Sequence, residues 1–156
     1  MGQIPSVQPF HAFVYPFSPA DKLYLARKYA AFVKSNVAKY PPLPRYVVER
    51  SHRIRVGYVS SDFGDHPTAH LIQSFFGFHD KENFHIYAFS LSGNDGSIYR
   101  AKIQSEVETF IDLSEVTNDY DAACMIASFS IDILINLNGY THGARNEIFA
   151  LRSAPV

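Results

Sequence analysis

Two histidines stand at the start of a predicted helix, within residues 60–70 (SSDFGDHPTAH). Proline suits the first position of a helix, so Pro67 predicts His66 as the N-cap. The positive end of a helix dipole favours a neutral imidazole there, a form that can act as a general base. His70 follows one turn later on the same face, within reach of the same ligand. The alternative is that both histidines only cap and cover the helix.

A second polar segment, residues 136–146 (NLNGYTHGARN), follows the last predicted strand. Asn138-Gly139 is a tight-turn pair at the end of a strand. Gly143 has no side chain, so it allows a ligand or a neighbouring backbone to come close. The loops at 60–66 and 136–143 are the two places where a ligand site is expected.

Arg145 lies in the first turn of the last predicted helix. A cation there is repelled by the positive end of the helix dipole unless it pairs with an anion. That anion could be a phosphate or a carboxylate of a ligand. It could also be Glu147 or Asp62 in a simple salt bridge, which is the commoner outcome.

Three short patterns lack the context that their chemistry needs, and two common nucleotide-binding motifs are absent. His66 and His70 form H-x-x-x-H, but no further His or Cys cluster offers a third zinc ligand. Residues 62–64 (DFG) copy a kinase triplet without its glycine-rich loop or H-R-D motif. Residues 119–121 (DYD) match the D-x-D of some metal-dependent glycosyltransferases, yet acidic residues are expected at a helix start, so capping is the better interpretation. Neither G-x-G-x-x-G nor a Walker pattern occurs, which leaves a dinucleotide or P-loop site unsupported.

Alternating strands and helices from residue 51 onward must position these segments. Strands are predicted at 54–59, 84–91, 110–113 and 131–137, and helices at 67–78, 98–107, 120–129 and 144–151. The strands are continuously apolar, which predicts burial on both faces and hence a mostly parallel, Rossmann-like α/β sheet between two helical layers. Ligands of such sheets bind outside the carboxyl ends of the strands. Both polar segments follow strands.

The first 50 residues differ from the rest because they hold seven of the nine prolines. Proline fixes φ and removes a hydrogen-bond donor, so these stretches are predicted to be extended connectors. Between them, residues 21–40 carry apolar side chains at three- and four-residue steps, and Asp21 follows Pro19 as an acidic helix start. We therefore predict a Pro-rich linker with one docking helix over 1–50 and a lobe over 51–156.

Composition excludes several functional classes. The 156 residues are 47% hydrophobic and 19% charged, the balance of one soluble globular domain. A net charge of −1 gives no electrostatic basis for binding nucleic acid or an anionic membrane. The single cysteine, Cys124, excludes an internal disulfide framework. No apolar run approaches the about 20 residues of a spanning helix, and no signal-peptide layout opens the chain, so the nucleus or cytoplasm is expected.

Two long motifs carry a family resemblance: residues 55–71 (RVGYVSSDFGDHPTAHL) and 133–152 (ILINLNGYTHGARNEIFALR). Shorter stretches agree in order, at 4–7 (IPSV), 15–18 (YPFS), 88–92 (AFSLS) with 94–96 (NDG), and 110–114 (FIDLS). Together they resemble the opening of the catalytic region of protein O-GlcNAc transferases, over nearly the whole chain.

The resemblance implies a two-lobed GT-B enzyme that transfers N-acetylglucosamine from UDP-GlcNAc to Ser or Thr of nuclear and cytoplasmic proteins. It implies inversion at the anomeric carbon, no metal, and no cofactor beyond the sugar donor. By motif position, His66 is a candidate base or acceptor-site histidine and His70 supports it. The residues that the resemblance and the loop position assign to substrate binding are Asn138, Gly139, Tyr140, Thr141 and Arg145.

The resemblance also implies what would complete such an enzyme. The rest of the first lobe, a C-terminal catalytic lobe and upstream tetratricopeptide repeats are the expected partners. Without the groups that neutralise the leaving diphosphate, the 156-residue chain alone is expected to have negligible transferase activity. Two alternatives stay open: a related protein O-fucosyltransferase that uses GDP-fucose, and a non-catalytic half-lobe that binds a partner through its unfinished face.

Overall fold

A four-stranded parallel sheet organises the computed structural model, which describes residues 6–44 and 51–156. Its strands are β1 (Ile54–Ser60), β2 (Phe84–Ser90), β3 (Thr109–Asp112) and β4 (Ile133–Asn136). They lie in the order β3-β2-β1-β4, and every pairing is parallel. The predicted parallel, Rossmann-like α/β sheet is thus confirmed.

The strand order places β1 directly beside β4, although the two are far apart in sequence. Val56 pairs with Ile133 and Val59 pairs with Asn136. The carboxyl ends of β1 and β4 therefore meet, so the two polar segments that follow them leave the sheet side by side.

Five α-helices flank the sheet: α1 (Pro19–Val37), α2 (Pro67–Ile72), α3 (Ile98–Glu106), α4 (Asp119–Ser128) and α5 (Asn146–Ala150). The prediction of one helix over 67–78 is wrong in its length, because α2 ends at Ile72 and Phe76–Phe78 form a separate 3₁₀ turn. That break turns Phe76 fully into the core while Phe78 stays 85% exposed. Gly77, a poor helix former, lies between them.

Both faces of the sheet are buried, as the continuous apolar strands predicted. One face packs Val56 and Tyr58 against residues of α2 and α3, including Ala69 and Ile103. The opposite face packs Val59 and Phe89 with a second set, which includes Ala122, Ala123, Ile126 and Ile148 from α4 and α5. Helices on both sides thus hold the carboxyl ends of the strands rigidly.

Helix α1 confirms the helix predicted within the first 50 residues. Ser18 and Asp21 form a capping box that begins it, with the Ser18 Oγ accepting the Asp21 N–H. Asn36 donates to Glu147 of α5 at 2.9 Å, so α1 docks on the lobe. The predicted division at residue 50 falls within 45–50, outside the described residues, and stays a prediction.

Strand β4 departs from expectation because its four residues are only half-buried. Among the described residues it lies at one edge of the sheet. Leu134 N–H donates to the Val156 carbonyl at 2.8 Å, and Val156 N–H donates to the Asp132 carbonyl at 3.3 Å. These bonds give the outer edge of β4 its own backbone partner, so part of the edge is covered.

Gly57 in β1 has no room for a side chain, and its replacement by alanine should destabilise the fold. A Cβ there would lie 2.9 Å from both Leu134 Cδ1 and Phe89 Cε2. Overpacking of a filled core costs about 1–3 kcal/mol. Urea unfolding should show that loss for Gly57→Ala. Gly93→Ala is the matched control, since its Cβ would meet nothing closer than 3.7 Å; equal losses for both variants would contradict the packing argument.

Among the described residues, no helix combines the length and the apolar character that crossing a bilayer requires.

Candidate functional site

The two polar segments, each predicted to follow a strand, meet at the carboxyl ends of β1 and β4. Ser61 N–H donates to Asn138 Oδ1 at 2.8 Å, and Asn138 Nδ2 donates back to Ser61 Oγ at 2.9 Å. Gly143 has φ +81° and lies against the Ser61 side chain, where a Cβ would come within 2.6 Å of Oγ. The neighbour that comes close to Gly143 is thus the Ser61 side chain and not a backbone, and the expected approach of a ligand stays a prediction.

Asn138 is the centre of this junction and is only 5% exposed. Its Nδ2 also donates to Asp62 Oδ2 at 3.0 Å and to Thr141 Oγ1 at 3.2 Å. The predicted tight turn is present, with Gly139 at φ +58°. Asn136 Oδ1 accepts both the Asn138 and the Gly139 N–H, so the turn is held from the end of β4.

His66 is the N-cap of α2, as predicted from Pro67. Its backbone is extended, and its Nδ1 accepts the Thr68 N–H at 3.2 Å. A nitrogen that accepts a hydrogen bond carries no proton, so a neutral ring in this arrangement has its proton on Nε2. The side chain is 47% exposed, which leaves the rest of the ring open to a ligand.

Asp62 is the residue that the sequence analysis did not single out as part of a site. Only 8% exposed, it accepts from Asn138 Nδ2, from Ser61 Oγ at 2.9 Å and from Thr68 Oγ1 at 3.5 Å. Its Oδ2 also lies 3.6 Å from His66 Nδ1. The carboxylate thus links the histidine to the asparagine. The available signal was an Asp four residues before a His in a polar segment.

His70 lies one turn after His66 and is held on both sides. Its Nε2 lies 2.8 Å from Asp65 Oδ1, and its ring is tilted over the Tyr99 ring with 4.0 Å between centroids. The side chain is 41% exposed. Asp65 and Tyr99 therefore orient the imidazole, whose predicted supporting role stays a prediction.

Tyr140 and Thr141 continue the second segment toward solvent. Tyr140 is 40% exposed and its ring meets the Tyr29 ring of α1 edge-on, with 5.6 Å between centroids. Thr141 Oγ1 donates to the Asn138 carbonyl at 3.0 Å, closing the turn. Together with Asn138 and Gly139 they form one surface beside the Asp62 carboxylate, and their predicted contact with substrate stays a prediction.

Arg145 does form a salt bridge, but the partners proposed from sequence are wrong. Its Nε lies 2.6 Å from Asp119 Oδ1, and its Nη1 donates to the Val116 carbonyl. Glu147 instead accepts from Asn36, and Asp62 accepts from Asn138. The guanidinium is therefore directed toward the start of α4.

The D-x-D of residues 119–121 has a structural role. Asn118 is the N-cap of α4 and accepts the N–H groups of Tyr120 and Asp121. Asp119 pairs with Arg145. Within residues 6–44 and 51–156, no three His, Cys, Asp or Glu side chains group closely enough to hold a metal ion.

The sequence model described as Glycosyl transferase family 41 matches residues 1–156, which is the whole chain. The chain belongs to that family. Membership agrees with the resemblance carried by the two long motifs, and it makes the polar junction at the ends of β1 and β4 a candidate glycosyl-transfer site.

Two relatives in this family are similar over almost all of the chain. The UDP-N-acetylglucosamine–peptide N-acetylglucosaminyltransferase of Caenorhabditis elegans is 47% identical over 161 residues, which cover 99% of this chain and 14% of that protein. The probable UDP-N-acetylglucosamine–peptide N-acetylglucosaminyltransferase SEC of Arabidopsis thaliana is 48% identical over 164 residues, covering 100% and 17%. The family 41 chain thus corresponds to a small part of each relative's length.

A solved structure has the same fold. A mutant O-GlcNAc transferase from Thermobaculum terrenum superposes with a TM-score of 0.78, covering 95% of this chain and 28% of that chain. The sequences are 22% identical, so the likeness concerns the fold alone. It supports the topology described above for the family 41 chain.

Proposed function

We propose that this family 41 chain is the first part of a protein O-GlcNAc transferase catalytic region. The whole enzyme transfers N-acetylglucosamine from UDP-GlcNAc to Ser or Thr hydroxyls of nuclear and cytoplasmic proteins, with inversion and without a metal. The observation that carries the proposal is the near-complete similarity of the chain to two N-acetylglucosaminyltransferases at 47% and 48% identity. The site at the ends of β1 and β4 gives the chemistry a location.

His66 fits an acceptor-site role better than that of the base. The Thr68 N–H occupies its Nδ1, so the proton of a neutral ring is on Nε2. Nε2–H can then donate a hydrogen bond to an oxygen of the acceptor or of the sugar. Asp62 Oδ2 lies 3.6 Å from Nδ1 and accepts from Thr68 Oγ1 at 3.5 Å, so the carboxylate helps to hold the helix start that orients the ring.

The remaining site residues have supporting roles in this proposal. Asn138 keeps the Asp62 carboxylate in place through its Nδ2. Gly139, Tyr140 and Thr141 form the surface that faces the second lobe, where UDP-GlcNAc is bound between lobes of a GT-B fold. Arg145 acts through the Asp119 salt bridge, by fixing the start of α5 against that of α4.

The proposed partners follow from the same assignment. The rest of the first lobe and a C-terminal lobe supply most contacts to uridine diphosphate, and tetratricopeptide repeats select protein acceptors. The names of the 47% and 48% identical relatives favour the N-acetylglucosaminyltransferase over the O-fucosyltransferase alternative. A non-catalytic half-lobe has no specific observation in its favour.

A segment-exchange experiment tests the function. The segment of the Arabidopsis relative that aligns with this chain is replaced by residues 1–156, and transfer from radiolabelled UDP-GlcNAc to an acceptor protein is measured. We expect the chimera to keep at least about a tenth of the relative's kcat/KM, because the two segments are 48% identical and the site geometry is internal to this chain.

Two controls make the outcome decisive. The same chimera with His66→Ala should lose most of the transfer, and the isolated 156-residue chain should show none. A chimera that unfolds at the relative's temperature yet transfers no sugar would contradict the proposal. Transfer by the isolated chain would contradict the incomplete-site part of it.

A further inference from the structure

Asp95, between β2 and α3, and Arg100, in the first turn of α3, hold the backbone before His66 at two points. Arg100 Nη1 donates to the Phe63 carbonyl at 3.0 Å. Asp95 Oδ2 accepts the Asp65 N–H at 2.6 Å. Gly64 lies between these two bonds. A cation and an anion from residues 95–100 therefore hold three consecutive residues that lead directly to His66.

Arg100 is buried and makes hydrogen bonds to several parts of the chain. It is 1% exposed, and its Nη1 also donates to Ser90 Oγ at 2.9 Å and to the Ser92 carbonyl at 3.2 Å. Its Nη2 lies 2.6 Å from Asp112 Oδ2, and its guanidinium carbon is 4.9 Å from the Phe110 ring centroid. One buried cation thus joins the ends of β2 and β3 to the segment after β1.

Asp95 is exposed and holds the same segment by hydrogen bonds to its carboxylate. Besides the Asp65 N–H, it accepts the Ser97 N–H at 3.0 Å. These hydrogen bonds, from Asp65 first and then from Ser97, lower the pKa of Asp95 to about 2, so the carboxylate is ionised near neutral pH. Gly64 fits against it closely, since a Cβ there would lie 2.5 Å from Oδ2.

We propose that Asp95 and Arg100 are positioning residues that fix the backbone of residues 63–65 and so set the place of the His66 ring. Neither contacts the predicted substrate surface; both act through the loop. Hydrogen bonds to the Phe63 carbonyl and the Asp65 N–H remove most of the conformational freedom of this segment before substrate binds. The catalytic consequence rests on the proposed function, whereas the structural consequence does not.

The test compares the 156-residue chain as wild type, Asp95→Ala and Arg100→Lys by NMR at one temperature and near neutral pH. Amide hydrogen exchange is followed at Asp65 and at Val59, and the ring signals of His66 are recorded. We expect exchange at Asp65 to accelerate at least about tenfold in both variants, because its acceptor is removed or released. Exchange at Val59, inside β1, should stay at its wild-type rate, and the His66 ring signals should shift.

Ile126→Val is the matched control, because Ile126 is fully buried on the opposite face of the sheet. It should leave Asp65 exchange and the His66 signals unchanged. If Arg100→Lys does not fold, Asp95→Ala decides the matter, since Asp95 is exposed. The proposal is overturned if Asp65 exchanges at the wild-type rate in the folded variants, or if Val59 accelerates by the same factor.

A second readout links the loop to the reaction. In the Arabidopsis chimera, Asp95→Ala is expected to lower kcat about fivefold or more, with KM for UDP-GlcNAc unchanged within about twofold. An unchanged kcat beside a faster Asp65 exchange would overturn the catalytic consequence alone. A wild-type chimera without transfer would count against the proposed function, and the NMR result would still decide the positioning role.

Discussion

Replacing Asp62 with asparagine should lower kcat for sugar transfer in the chimera by about 100-fold, with little change in KM for UDP-GlcNAc. The substitution removes the charge that lies 3.6 Å from His66 Nδ1. It also replaces the carboxylate that accepts from Asn138 Nδ2 with an amide. If the new NH₂ group takes the place of Oδ2, it faces the Asn138 NH₂ group, donor against donor. If the amide turns to present its oxygen instead, this hydrogen bond is kept. Initial rates over a range of UDP-GlcNAc concentrations separate the two constants.

Asp121→Asn provides the matched control for that measurement. This substitution removes the same charge from an exposed position in the first turn of α4, away from the candidate site. It should leave kcat within about twofold of the parent. If Asp62→Asn lowers kcat no more than this control does, the Asp62–His66 pair has no part in the chemistry.

Local features of the fold were predictable because their causes lie within a few residues. Pro67 is enough to place the N-cap at His66, and the cap bond to Thr68 follows from helix geometry. Continuous apolar strands predicted burial on both faces, and two separate packing clusters are present. Helix α1 was likewise evident from its apolar spacing and its acidic start.

Contacts between distant parts of the chain were not predictable in the same way. The Asp62–Asn138 bond joins residues 76 positions apart, and it exists because β4 pairs with β1 instead of its sequence neighbour β3. No local pattern encodes that choice. The sequence consequently offers Asp62 only as part of a kinase-like triplet, and it suggests Glu147 or Asp62 for Arg145 where the fold supplies Asp119.

The burial of Arg100 was not predictable from the sequence either. A basic residue in a short amphipathic helix is expected at the solvated face. It is buried because three strand ends converge on it with two carbonyls, a hydroxyl and a carboxylate. The acceptors offset the desolvation of the two terminal nitrogens, whereas the buried Nε has no hydrogen-bond partner. Such a set of acceptors arises from tertiary structure.

Replacing Asn138 with leucine should lower the free energy of unfolding by about 3 kcal/mol. Leucine has a similar shape but offers no acceptor to the Ser61 N–H and no donor to the Asp62 carboxylate. A buried polar group left without a partner costs about 1–3 kcal/mol, and two are left here. Urea unfolding of the 156-residue chain, followed by circular dichroism, gives the difference. Asn83→Leu, at an exposed position, should cost under about 1 kcal/mol.

Asn138→Asp separates the hydrogen bond from the shape of the side chain. The new carboxylate still accepts the Ser61 N–H, but it sets a second negative charge where Nδ2 was 3.0 Å from Asp62 Oδ2. Such a pair raises the carboxylate pKa in the folded state, so the folded chain binds more protons than the unfolded one. Relative to wild type, the variant should therefore regain stability as the pH falls from 7 to 4. A difference from wild type that stays constant over this range would mean that Asp62 and residue 138 do not interact through charge, and the junction would then owe its stability to packing.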